Sequence, residues 1–133
     1  VEPARPIDIL VVEDDVDIRD VLAEILTGEG YQLATAPDGQ AALAQIAGTG
    51  LPRLIILDLM MPVMDGWIFR RELLARPGGA RVPIIVLSGF ADPTSAEMVG
   101  VRYLAKPVKM DNLLRLIAEQ LSGVTRPAVA AYR

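Results

Sequence analysis

The sequence predicts an α/β domain: one doubly wound parallel sheet of five strands with helices on both faces. Three observations carry this. Short apolar, β-branched runs recur along the chain, segments with apolar residues at intervals of three and four separate them, and polar side chains follow directly after the runs. At 133 residues the chain has the length of one compact domain.

Residues 7–12 are apolar apart from Asp8, as expected of a strand covered on both faces. Similar runs lie at 54–57 and 84–87, and shorter ones at 31–36 and 103–105. Ile18, Val21, Leu22, Ile25 and Leu26 form a helical stripe that Gly28 and Gly30 can end. Asp38 can cap a helix through Ala41, Leu43 and Ile46 that stops near Gly48. Phe69, Leu73 and Leu74 give a third apolar face, ended at residues 77–79, Pro-Gly-Gly. Asp111 can cap a last helix, with Leu113, Leu114, Ile117 and Leu121 as its stripe. Such alternation implies right-handed crossovers, with any ligand beyond the carboxyl ends of the strands.

Composition narrows the chemistry. With no cysteine and no histidine, any metal must be held by oxygen. A net charge of −4 and a pI near 4.8 argue against direct nucleic-acid binding. No apolar run approaches the ~18 residues of a membrane span, and residues 1–6 have no signal-peptide pattern, so a soluble, cytoplasmic protein is expected. The chain begins at Val1, which implies processing or excision from something longer.

The residues that follow the strands are Glu13, Asp14 and Asp15 after the first, Asp58 after the third, Ser88 and Gly89 after the fourth, and Lys106 and Pro107 after the fifth. Carboxylates within ~4 Å of each other repel by about 4 kcal/mol per pair at an effective dielectric of 20, so the cluster calls for a cation. Acidic oxygens without His or Cys suit Mg²⁺, and Mn²⁺ could substitute. A carboxylate needs no general base to attack phosphorus, and an ammonium beside it absorbs charge.

These residues closely resemble the receiver domain of two-component response regulators. The resemblance covers roughly residues 7–121. It rests on Ile9-Leu-Val-Val-Glu-Asp-Asp15, Leu57-Asp-Leu-Met-Met-Pro-Val-Met-Asp-Gly66, Ser88-Gly89 and Tyr103-Leu-Ala-Lys-Pro107, in order and at family spacing. It implies a flavodoxin-like strand order 2-1-3-4-5, a receiver over residues 7–122, and tails at 1–6 and 123–133. Asp58 would be the phosphoacceptor, supplied by a sensor histidine kinase or a His-phosphotransfer protein. Aligning residues 10–12 and 17–19 on both sides places the acidic pair at Glu13 and Asp14, with Asp15 at the helix start. By this match Asp14 and Asp58 bind Mg²⁺ directly, Glu13 acts through a water, and the Met60 backbone carbonyl is a third protein ligand. Lys106 and Ser88 contact the phosphoryl group, Ser88 and Tyr103 form the switch, and Lys106-Pro107 is a cis peptide that helps aim the ammonium.

Two departures stand out. Eighteen positions separate Ser88 from Lys106, about four fewer than in receivers, so the fourth helix, expected within residues 90–101, should be short, distorted or missing. Met60 and Phe90 stand where polar groups in the family help water attack the acyl phosphate, which implies a persistent phosphoryl group. The expected function is a phosphorylated switch for an unidentified downstream protein or a homodimer, with no metabolic turnover beyond self-phosphorylation from small donors and autodephosphorylation. The short segment keeps open a receiver-shaped binding module that no longer switches by phosphorylation. A dehalogenase-type phosphatase wants an aspartate where Met60 stands, and a flavin module wants a Ser/Thr/Gly-rich first loop where this one is acidic. Only ten residues follow Gly123, too few for a DNA-binding output domain.

Overall fold

The computed structural model describes residues 7–59, 63–89 and 101–122. Five strands, β1 (Ile9–Val12), β2 (Leu33–Ala36), β3 (Leu54–Asp58), β4 (Ile84–Ser88) and β5 (Arg102–Ala105), form one sheet in the order β2-β1-β3-β4-β5. Every pairing is parallel. The helices among the described residues are α1 (Val16–Gly28), α2 (Gly39–Thr49), α3 (Gly66–Leu74) and α4 (Met110–Leu121), with a 3₁₀ turn at Gly79–Arg81. None is long and apolar enough to cross a membrane.

Alternation along each strand splits the core in two. Leu10, Val12, Ile55, Leu57, Ile84 and Val86 pack against Leu43 and Ile46 of α2 and Phe69 and Leu73 of α3. Ile9, Val11, Leu54, Ile56, Ile85 and Leu87 pack against Leu22 and Leu26 of α1 and Leu113 and Ile117 of α4. The central strands β1, β3 and β4 are buried along their whole length, which is why they read as unbroken apolar runs.

Local chemistry fixes the helix starts. The Asp38 side chain accepts from Ala41 N at 2.8 Å and caps α2. Asp65 accepts from Ile68 N at 3.0 Å and caps α3. Gly66 lets that helix start close against the end of β3, because a Cβ there would stand 2.9 Å from Leu59 Cα.

Several elements differ from the sequence expectation. β1 begins at Ile9, since the Asp8 carboxylate turns away to accept from Gln32 N and to pair with Arg53. α4 is capped at Lys109, without a side-chain bond; Asp111 lies inside its first turn, where a negative charge faces the positive end of the helix. Val21 and Leu74, expected in apolar stripes, are 52% and 43% exposed, because each stripe is narrower than its run of apolar residues. The expected tails and all but the last residue of the segment expected to hold a short fourth helix lie outside the described residues.

Candidate functional site

Strand register and parity assemble the site. Val12 pairs with Leu57, so Glu13, one step beyond, stands level with Asp58 at the carboxyl edge. By the alternation that buries Val11 and Ile56, both side chains fall on the α1/α4 face. Leu104 shares that face, and so does Lys106 two residues later. Ser88 and Tyr103 take the opposite parity and fall on the α2/α3 face, where Tyr103 packs against the core.

The distances agree. Lys106 Nζ lies 3.5 Å from Asp58 Oδ1 and 3.6 Å from Glu13 Oε1. Glu13, Asp14 and Asp58 each bring one carboxylate oxygen within 4.8 Å of the others. Glu13 and Asp58 are buried, whereas Asp14 is exposed at the mouth. Asp15 belongs to the helix instead: its carboxylate accepts from Asp17 N at 2.9 Å and Ile18 N at 3.2 Å, capping α1. Of the three consecutive acids, two face Asp58 and the third starts a helix.

Ser88 ends β4, fully buried, and its carbonyl accepts from Lys106 N at 3.1 Å, tying β5's exit to the same edge. The Lys106-Pro107 peptide is cis. Met60 lies outside the described residues, as does Phe90. Val63, three residues before α3, has φ 68°, a left-handed conformation that β-branched residues rarely adopt.

Burial, and then the hydrogen bond and negative charge of Asp58, push the Glu13 carboxyl up to about 7; the Asp15 N–H and Lys106 oppose this. Glu13 Oε1 is buried and accepts no hydrogen bond among the described residues. This oxygen has the Lys106 ammonium 3.6 Å away, yet three carboxylates share that one cation, and an all-oxygen donor set carrying excess negative charge fits a hard divalent cation such as Mg²⁺. Beside Lys106, an apolar groove of about 400 Å³ runs between α1 and the start of α4, lined by Ile18, Val21, Leu22, Leu87, Pro107 and Met110.

A contact that no sequence spacing announces joins α1 to the end of β1. Arg19 Nη1 donates to the Glu13 backbone carbonyl at 3.1 Å, reaching back from α1 to the end of β1.

The sheet order and the acid–lysine edge together define a receiver fold, and comparison with known proteins agrees. The chain belongs to the response regulator receiver domain family, whose model matches residues 9–118. It is 38% identical to an uncharacterised 14.6 kDa protein of Leptolyngbya boryana, over 84% of this chain and 88% of that one. It is 39% identical to the response regulator MprA of Mycolicibacterium vanbaalenii, over 90% of this chain but 52% of MprA, so it spans about half of that relative. Among solved structures, it is similar to the receiver domain of a sensor histidine kinase from Pseudomonas aeruginosa, with a TM-score of 0.75 and 31% identity over 90% of this chain and 100% of that one. That structure has a magnesium ion coordinated in its active-site cleft. Phosphoryl acceptance and Mg²⁺ binding are typical of this family.

Proposed function

We propose that Asp58 accepts a phosphoryl group from a phosphohistidine on a sensor histidine kinase or His-phosphotransfer protein, and that the change in charge alters a surface read by a downstream protein. The observation that carries this reading is Lys106 Nζ, within 3.6 Å of both Glu13 and Asp58 at the edge where three carboxylates converge. Asp14 and Asp58 would hold Mg²⁺ directly, with the Met60 carbonyl as a third ligand and Glu13 acting through a water. When bound, the ion supplies positive charge to the phosphoryl oxygens.

An Asp58 carboxylate oxygen attacks phosphorus, the P–N bond to the donor imidazole breaks, and its electron pair stays on that nitrogen, which takes up a proton. Lys106 offsets charge on the group being transferred, and the Ser88 hydroxyl donates a hydrogen bond to it. The acyl phosphate carries roughly −1.5 to −2 where the Asp58 carboxylate carried −1, a gain of about one negative charge at most. Ser88 drawn toward it would free space for Tyr103, which shares its face of the sheet. The apolar groove beside Lys106 offers the donor a surface to dock on. A net charge of −4 favours a protein partner over nucleic acid, and a cytoplasmic setting, where kinase and nucleotide meet, belongs to the same reading.

Incubation with Mg²⁺ and acetyl phosphate, followed by intact mass, tests this. The wild type gains one phosphoryl mass and Asp58→Asn gains none. No gain in the wild type, from acetyl phosphate or from a cognate kinase, would favour the second reading, a receiver-shaped binding module, which the short Ser88–Lys106 spacing supports.

A further inference from the structure

The geometry points to Arg19 as a positioning residue for the metal site, acting through the Glu13–Asp14 peptide; this rests on the Mg²⁺ reading above. The Glu13 backbone is held from two sides. Its N–H donates to Ala36 O at 3.0 Å, which carries the β1–β2 ladder one step past the strand. Its carbonyl accepts from Arg19 Nη1 at 3.1 Å. That carbonyl belongs to the peptide plane that leads into Asp14, so its orientation sets the direction in which the Asp14 side chain leaves the loop.

Glu13 is buried against Asp58, whereas Asp14 is exposed, so the backbone that leads into it does more to set its approach to the other two carboxylates. Arg19 is itself fixed one turn into α1, where its N–H donates to Asp15 O at 2.9 Å, and Asp15 caps that helix. The first turn of α1 thus acts as a rigid arm from which the guanidinium clamps the end of β1.

A guanidinium beside a cation site should by charge alone weaken it, and this makes the two roles separable. If Arg19 acts only as a nearby charge, Arg19→Gln tightens Mg²⁺ binding and Arg19→Lys leaves it unchanged. If it positions the peptide, both variants weaken binding: Gln falls short of the carbonyl, and the Lys stem is one bond shorter than that of Arg. Loss of a partner that orients a ligand typically costs about tenfold in metal affinity.

Calorimetric titration of the metal-free protein with MgCl₂ reads this directly, alongside urea unfolding in EDTA and the phosphorylation rate at saturating Mg²⁺. The expected result is Mg²⁺ affinity about tenfold weaker in Arg19→Gln and also weaker in Arg19→Lys, with unchanged unfolding midpoints and near wild-type rates once Mg²⁺ saturates. Equal or tighter binding by Arg19→Gln overturns the inference, as does a rate that saturating Mg²⁺ does not restore. If Arg19→Gln does not fold, Arg19→Lys decides, and wild-type affinity there overturns it. A wild type without measurable Mg²⁺ binding overturns the Mg²⁺ reading as well, so the two failures are distinct.

Discussion

Glu13 makes the metal-free protein's stability depend on pH in a direction opposite to that of most carboxylates. Burial, with the adjacent Asp58, raises its folded pKa from 4.5 to about 7. Between these values the folded state holds a proton that the unfolded chain has released. The associated stability is therefore fully present below pH ~4.5 and is lost as pH rises through about 7. The shift corresponds to roughly 3 kcal/mol at 1.36 kcal/mol per unit, and to about 2 once water at the open mouth of the site is allowed for. Other groups titrate over the same range, so the informative quantity is the difference between the wild type and Glu13→Gln, which mimics the protonated acid at every pH. Urea unfolding in EDTA from pH 5 to 8.5, followed by the fluorescence of Trp67, the single tryptophan, which lies on α3 partly buried against the core, measures it. The wild type should lose about 2 kcal/mol relative to Glu13→Gln across that interval, and saturating Mg²⁺ should remove most of the loss. Parallel stability curves for the two proteins would refute the reasoning.

Three other substitutions probe separate links. Lys106→Met removes a cation standing 3.5 and 3.6 Å from two carboxylates, and Mg²⁺ affinity by calorimetry should rise about three- to tenfold; a fall would mean that Lys106 organises the acids instead of competing with the metal. Val63→Gly relieves a left-handed β-branched residue that is 74% exposed. Its unfolding free energy should rise by about 0.5–1 kcal/mol after the glycine entropy cost, and a decrease would contradict the strain. Asp38→Ala removes the cap on Ala41 N and should cost about 1 kcal/mol in urea unfolding, with no change in Mg²⁺ affinity.

Much of the site was legible in the sequence because parallel strands buried on both faces end abruptly. Where Ile-Ile-Leu gives way to Asp58, or Leu-Ala to Lys106, the change from apolar to charged marks the carboxyl edge. The division of Glu13, Asp14 and Asp15 came from the resemblance, by matching residues 10–12 and 17–19 on both sides; Asp15 does cap α1, accepting from Ile18 N at 3.2 Å. Long-range side-chain contacts were not legible. Arg19's reach to the Glu13 carbonyl depends on the angle at which α1 leaves the sheet, and no spacing rule encodes it. Nor does composition announce that Val63 takes a positive φ, a conformation that β-branched residues rarely adopt. Asp111 is ambiguous from sequence because an aspartate suits both the cap and the first turn, and in the structure Lys109 takes the cap position.

In the proposed function the phosphoryl group resides on Asp58 and on no other acid of the cluster. Treating the phosphorylated protein with sodium borohydride reduces an acyl phosphate to the alcohol, so a phosphorylated aspartate is recovered as homoserine, and peptide sequencing by mass spectrometry locates it. Homoserine should appear at Asp58 alone, only when both Mg²⁺ and phosphodonor are present. Homoserine at Glu13's neighbour Asp14, or phosphorylated protein without homoserine at Asp58, would contradict the account.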